Sequence, residues 1–178
     1  MAEVNSTDGL HALRADRLLP TLMDRLMDDA PQRKRDTAAE LSITRKQLRQ
    51  IVLRDLSWLL NATNAEGELP LEGFIHARAS GLNFGLPAFS GKRVSNVKLS
   101  DLEQAIRRAI VQFEPRIMVQ TLQVQASVAS RTDAVHNVVI FEIRGHIWSQ
   151  PYPVEMLLKS SIDLETGMVS LLDQLGDH

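Results

Sequence analysis

A helix stopped by proline and released into alternating strands is the tightest constraint this sequence places on its own fold. Between Ser100 and Phe113, Leu102, Ile106, Ala109, Ile110 and Phe113 recur at helical spacing, which makes one stripe of the helix apolar. Ser100 with Glu103 three positions later predicts a capping box, each side chain satisfying a backbone N–H at the helix start. Glu103 and Arg107 stand four apart and predict an outward-facing ion pair of about 0.3–0.5 kcal/mol. Pro115 then biases Glu114 out of the helical region and ends the helix. From Ile117 to Val128 the spacing predicts a strand, with Leu122, Val124, Ala126 and Val128 buried and Gln123, Gln125 and Ser127 wet. Glu114 and Arg116, flanking the proline, are expected to hydrogen-bond or ion-pair within this helix–sheet junction.

The alternation continues. After a turn near Arg131-Thr132-Asp133, Val139, Phe141, Ile143, Gly145 and Ile147 share one face, and Glu142, Arg144 and His146 the other. Pro151 and Pro153 bracket Tyr152 at a bend. A third strand turns Val154, Met156, Leu158, Ile162 and Leu164 inward, Glu165-Thr166-Gly167 makes a hairpin, and Met168 to Leu172 forms a short last strand. Connections this short leave no room for crossover helices, so the strands form an antiparallel meander. Helices first and strands after predict an α+β fold: N-terminal helices plus an antiparallel β-meander with one helix packed on the sheet.

Upstream, residues 1–17 are polar and expected to fray. Residues 18–61 read as a helical extension. Its first helix carries Leu19, Leu22, Met23, Leu26 and Met27 as a stripe, with Pro20 in the first turn. The charged linker around Arg33-Lys34-Arg35 reads as a solvated loop. Ser42 is the expected N-cap of the second helix, which runs to about Asn61 with Leu48, Val52, Leu56 and Leu59 as its stripe. Leu53, Trp58 and Leu60 fall off that stripe. Either this helix is sandwiched between the first helix and the main domain, or the three residues form a partner-docking surface. The turn-rich segment 61–73 marks the boundary to an α+β domain over residues 62–178. Within it, Leu82, Phe84 and Leu86 are expected to pin the irregular segment Ser80-Gly81-Leu82-Asn83-Phe84-Gly85-Leu86-Pro87 to the core. Without a Gly-Lys-Ser/Thr ending or a preceding strand, that segment is not a phosphate loop.

Composition closes off several functions. The net charge is −2, with 20 basic and 22 acidic residues. Residues 1–61 carry 10 basic residues against 9 acidic and residues 62–178 carry 10 against 13, so nothing favours nucleic acid or an anionic membrane. No cysteine is present, which removes disulfides, thiolate zinc sites and cysteine nucleophiles. His136 and His146 stand about 33 Å apart on an extended strand and cannot share an ion. His11, His76 and His178 have no companion at ligand spacing, so no metal or cofactor is expected. The N-terminus lacks a basic and apolar leader, and no apolar run nears the ~20 residues that span a bilayer. A cytoplasmic protein is expected.

Five segments, in order, carry a resemblance. They are Leu18-Leu19-Pro20-Thr21-Leu22-Met23-Asp24-Arg25-Leu26, Leu48-Arg49-Gln50-Ile51-Val52-Leu53-Arg54-Asp55-Leu56, Leu82-Asn83-Phe84-Gly85-Leu86-Pro87, Phe113-Glu114-Pro115-Arg116 and Ile162-Asp163-Leu164-Glu165-Thr166-Gly167. Together they resemble the TssE family, the baseplate wedge subunits of bacterial type VI secretion systems. They are similar also to the phage T4 baseplate wedge family labelled "lysozyme-like". Phe84 stands where the family usually has tyrosine.

The resemblance implies a non-enzymatic structural part of the cytoplasmic baseplate, docked at the inner face of the membrane. Its implied partners are the wedge proteins TssF and TssG, TssK, and the sheath proteins TssB and TssC, whose assembly it nucleates around the nearby Hcp tube. Glu114, Pro115 and Arg116 are the shared motif and a candidate partner contact. An open sheet edge, with Met168–Asp173 as a guarded edge strand, is the expected means of adding a neighbour's strand.

The "lysozyme-like" label raises peptidoglycan cleavage as a rival. That chemistry needs two carboxyls flanking the scissile bond, one with a raised pKa. Glu114 is the only carboxylate in strongly apolar sequence, with Glu103 or Glu142 as nominal partners. Arg116 beside it and the chain's eight aromatics argue against an acid in an aromatic sugar cleft. No catalytic residue is therefore assigned. A third reading is a stand-alone regulatory adaptor on the same scaffold.

Overall fold

The computed structural model describes residues 21–26, 32, 43–91, 97–128 and 137–174. The expectations for residues 1–17, Leu19, Pro20, Met27, the basic triplet at Arg33, the turn at Arg131, His136 and His178 lie outside these, and the second helix is capped by Thr44, not by Ser42 as expected. In chain order come α1 (Leu22–Leu26), α2 (Arg45–Asn61), α3 (Ile75–Arg78), α4 (Leu99–Phe113), β1 (Gln123–Val128), β2 (Val138–Ile147), β3 (Val154–Asp163) and β4 (Val169–Asp173). Single 3-10 turns lie at Ala65–Gly67, Gly81–Asn83 and Val119–Thr121.

The four strands form one antiparallel sheet in the order β1-β2-β3-β4, the α+β meander that the alternation predicts. Val139, Phe141, Ile143 and Ile147 of β2 and Met156, Leu158 and Ile162 of β3 are buried on one face. Glu142, Arg144 and His146 occupy the other. Two helices lie side by side on the apolar face, α4 over β1 and α2 over β4. Leu48, Val52, Leu56, Leu59 and Leu60 of α2 and Leu102, Ala105, Ile106, Ala109 and Ile110 of α4 join the sheet residues in one core. Each large aliphatic side chain buried there contributes about 1.5–3 kcal/mol against exposure.

Several local expectations give way to longer-range contacts. The capping box lies at α2, where Thr44 Oγ1 accepts from Gln47 N at 3.2 Å and Gln47 Oε1 accepts from Thr44 N at 2.8 Å. At α4 there is none. The helix starts at Leu99 after Lys98, which makes no side-chain cap bond, so Ser100 already lies inside the first turn. Glu103 instead reaches across to Ala126 of β1 and Arg107 to Leu122 just before it, and they do not pair along the helix as their spacing predicts.

The strand after the junction begins at Gln123, not Ile117. The 3-10 turn at Val119–Thr121 interrupts it, and the gap is bridged by Ile117 opposite Ile147. Met118 N donates to the His146 carbonyl at 2.9 Å and Trp148 N to the Arg116 carbonyl at 2.7 Å. Thr121 Oγ1 accepts from His146 N at 2.9 Å. The β3–β4 hairpin turns through Gly167 at φ +78°, a conformation that favours glycine.

Within the loop segment, Phe84 meets Phe113 edge-on with ring centroids 5.2 Å apart, and Leu86 is buried. Leu82 is 78 % exposed, so it does not pin the segment as expected. Buried Asn83 does so in its place: Oδ1 accepts from Glu66 N and Nδ2 donates to the Arg78 carbonyl, both at 3.1 Å. Gly85 is obligatory. Its φ is +116°, and a Cβ there would lie 2.2 Å from the Ala62 carbonyl oxygen.

Candidate functional site

Pro115, two residues after Phe113, ends α4, and the chain reverses so that Arg116 folds back on Glu114. Arg116 Nε donates to Glu114 Oε1 at 2.6 Å and Nη2 to Oε2 at 2.5 Å. The Arg116 backbone N–H also donates to Oε1, at 3.2 Å. This is the fork-on-carboxylate geometry that only arginine supplies. Glu114 is 4 % exposed, so neither carboxylate oxygen opens onto a cleft that could hold a sugar.

The junction extends further than the sequence reading foresaw. Arg116 Nη2 also donates to Asp55 Oδ2 at 2.6 Å, from the middle of α2. The other oxygen of Asp55 accepts from Arg54, at 3.0 Å from Nε and 2.8 Å from Nη2. Arg54 Nη1 in turn donates to Asp24 Oδ1 of α1 at 2.6 Å. Five charges of alternating sign therefore run from α1 through α2 to the end of α4. Burial lowers the Arg116 pKa, and the hydrogen bonds it donates to Glu114 and Asp55 more than reverse that, holding it above the usual guanidinium value. The hydrogen bond from Arg54 holds Asp24 below the ordinary carboxylate value, and Arg54 is raised in return, chiefly by Asp24.

Of the off-stripe residues on α2, Leu60 is in the core and Leu53 is partly buried against it. Trp58 is 51 % exposed, with the Arg54 guanidinium 4.9 Å from its ring centroid. The ion chain and Trp58 thus share a surface. On α1, Leu22 and Leu26 are more than 70 % exposed, so this part of the predicted stripe faces outward.

Helix side chains also reach both edges of the sheet. On the β1 edge, Glu103 Oε1 accepts from Ala126 N at 2.7 Å, and Arg107 Nη1 donates to the Leu122 carbonyl. On the β4 edge, Asn61 reads one residue as a neighbouring strand would. Its Nδ2 donates to the Val169 carbonyl at 3.0 Å and its Oδ1 accepts from Val169 N at 2.9 Å. Arg49 of α2 adds an ion pair to Asp173 at 2.5 Å.

Sequence reasoning missed Asp55, Arg54, Asp24 and Asn61. The adjacent Arg54-Asp55 pair in the middle of an otherwise greasy helix was the available signal for the first two. Among the described residues, no cluster of three or more His, Asp or Glu is placed to hold a metal ion, and no helix is long and apolar enough to cross a membrane.

A family model described as baseplate wedge protein gp25 matches residues 46–152. The match runs from the first turn of α2 to the bend after β2, more than half of the 178-residue chain. No curated protein matches the chain, and no solved structure does.

Proposed function

The chain belongs to the family of baseplate wedge protein gp25, and from that membership we propose that it is a non-enzymatic wedge component of a type VI secretion baseplate. In this reading it joins TssF and TssG in the wedge, contacts TssK, and offers the platform on which TssB and TssC begin the contractile sheath around the Hcp tube. It works in the cytoplasm, at the inner face of the membrane. The observation that carries the reading is the family match across α2, α4, the Glu114-Pro115-Arg116 junction and the first two strands. Supporting it, the conspicuous carboxylate of the chain has both oxygens on Arg116, an arrangement that braces a junction and presents no acid to a substrate.

The reading gives the ion chain a task. A subunit that templates a sheath must hold its sheet and helices in one fixed relation while force passes through them. Arg116 holds the end of α4 to the middle of α2 through two carboxylates, and such charge-assisted bonds contribute about 1.5–3 kcal/mol each. The test is affinity purification of the tagged protein from its own cytoplasm, with mass spectrometry of the proteins that follow. Recovery of TssF, TssG, TssK or sheath subunits is expected. Their absence, or recovery of a regulator in their place, would remove the wedge assignment and favour the adaptor reading.

A further inference from the structure

One concave surface lies apart from the ion chain. A groove of about 590 Å³ runs along the outer side of α4, between it and the loop that carries α3. Buried Ala105 and Ala109 form its floor, and Ile75, Ala79, Val111 and Val119 add apolar lining around them. Ile75 is 70 % exposed, and Val111 and Val119 are 41 % exposed each. From Gln104 to Gln112 the groove follows α4 for about 12 Å, a little over two helical turns.

Its rim is basic in an otherwise slightly acidic chain. Among the described residues, Arg78, Arg107 and Arg108 line it, with Glu66 as the one carboxylate. Glu66 pairs with Arg78 at 2.7 Å. The Arg107 guanidinium donates to a neutral carbonyl, that of Leu122, and Arg108 has no ion-pair partner among the described residues. Three guanidiniums against one carboxylate leave two positive charges around an apolar floor, where the whole chain carries −2.

Resting on the baseplate reading above, we infer that this groove seats an amphipathic helix of a wedge partner, with an apolar face flanked by Asp or Glu. The occupant is helical because helices and loops line the groove, and no strand edge there can pair with an extended main chain. A helix satisfies its own backbone and needs only side-chain contacts. The small floor residues allow close approach, the apolar lining takes its buried face, and Arg108 and Arg107 take its acidic flank. Charge at such a rim steers encounter and selects among partners, and it weakens as salt is raised.

The test uses the full chain co-expressed with TssF and TssG. Arg108→Glu together with Val111→Glu reverses the rim charge and places a carboxylate in the apolar lining, both at exposed positions outside the core. At least a tenfold loss of co-purified partner is expected, with an unchanged thermal midpoint. Full recovery of partner by this variant would overturn the groove assignment while leaving the wedge role standing. Failure of the unaltered chain to recover TssF or TssG would overturn both.

A second readout does not depend on how the variant folds. The chain has no cysteine, so Gln104→Cys places a single thiol in the groove. Its alkylation is expected to slow at least tenfold in the complex relative to the free protein. An unchanged rate in a complex that has formed would rule out the groove as the seat.

Discussion

The two edges of the sheet are closed by different chemistry. On the β1 edge, α4 applies a carboxylate and a guanidinium, Glu103 to the Ala126 N–H and Arg107 to the Leu122 carbonyl. On the β4 edge, α2 applies one neutral amide, Asn61, to both backbone groups of Val169, and its ion pair there, Arg49 to Asp173, joins side chain to side chain and leaves the strand's backbone alone. Hydrogen bonds with a charged member contribute about 1.5–3 kcal/mol each and neutral ones about 0.5–1.5. The backbone at the β1 edge is therefore held by charged groups, whereas the backbone at the β4 edge is held by a neutral group that imitates a strand and costs less to remove. Arg116 joins the two helices and keeps each over its own edge.

The largest effect is expected from cutting that joint. Arg116→Met leaves Glu114 buried without its cation and Asp55 with Arg54 alone. Removing one member of a buried ion pair costs about 3–5 kcal/mol, to be read from the urea midpoint at constant slope. Glu114→Gln combined with Arg116→Met should recover part of that loss, because no buried charge is then left unpaired. Equal losses from the single and double changes would mean that the pair itself holds nothing together. Glu103→Ala comes next, at about 1.5–3 kcal/mol, since it frees the Ala126 N–H and releases α4 from the β1 edge.

The sequence made some of this legible and hid the rest for a physical reason. Alternation exposed β2, β3 and β4 because a sheet with one buried face imposes period two on its side chains. Glu114 and Arg116 pair across a proline, so their contact is local and could be anticipated. Asp55 stands 61 residues from Arg116, and only the packing of α2 beside α4 brings them together. Ser100 and Glu103 satisfied a local template, but Glu103 found a backbone N–H on β1 that would otherwise lie unpaired at a partly buried edge. Nor did anything mark Asn61 as more than a helix end. In each case the local motif gave way where a tertiary partner had a greater need.

Asn61→Ala probes the weaker edge. Losing two neutral bonds should cost about 1–3 kcal/mol, and the bared Val169 backbone should make the protein associate as its concentration rises, by sedimentation or light scattering. Glu103→Ala, compared at matched stability, should associate less because Arg107 still occupies the β1 edge. Equal association of the two variants would erase the distinction between the edges.

The smallest effect concerns α1, at the far end of the ion chain. The hydrogen bond from Arg54 holds Asp24 below the ordinary carboxylate value of 3.8. A lowered folded-state pKa contributes stability that is present above 3.8 and is lost as the pH falls through the lower value. Protection of α1 from proteolysis should therefore be constant from neutral pH down to about 4 and should decline in stronger acid. In Arg54→Met the largest contribution to the lowering of Asp24 is gone and only its hydrogen bonds with Thr21 remain, so protection should be weaker at neutral pH and its decline in acid smaller. If the variant instead retained the acid decline of the parent, α1 would be held by something other than its ion pair. The chain of five charges would then end at α2.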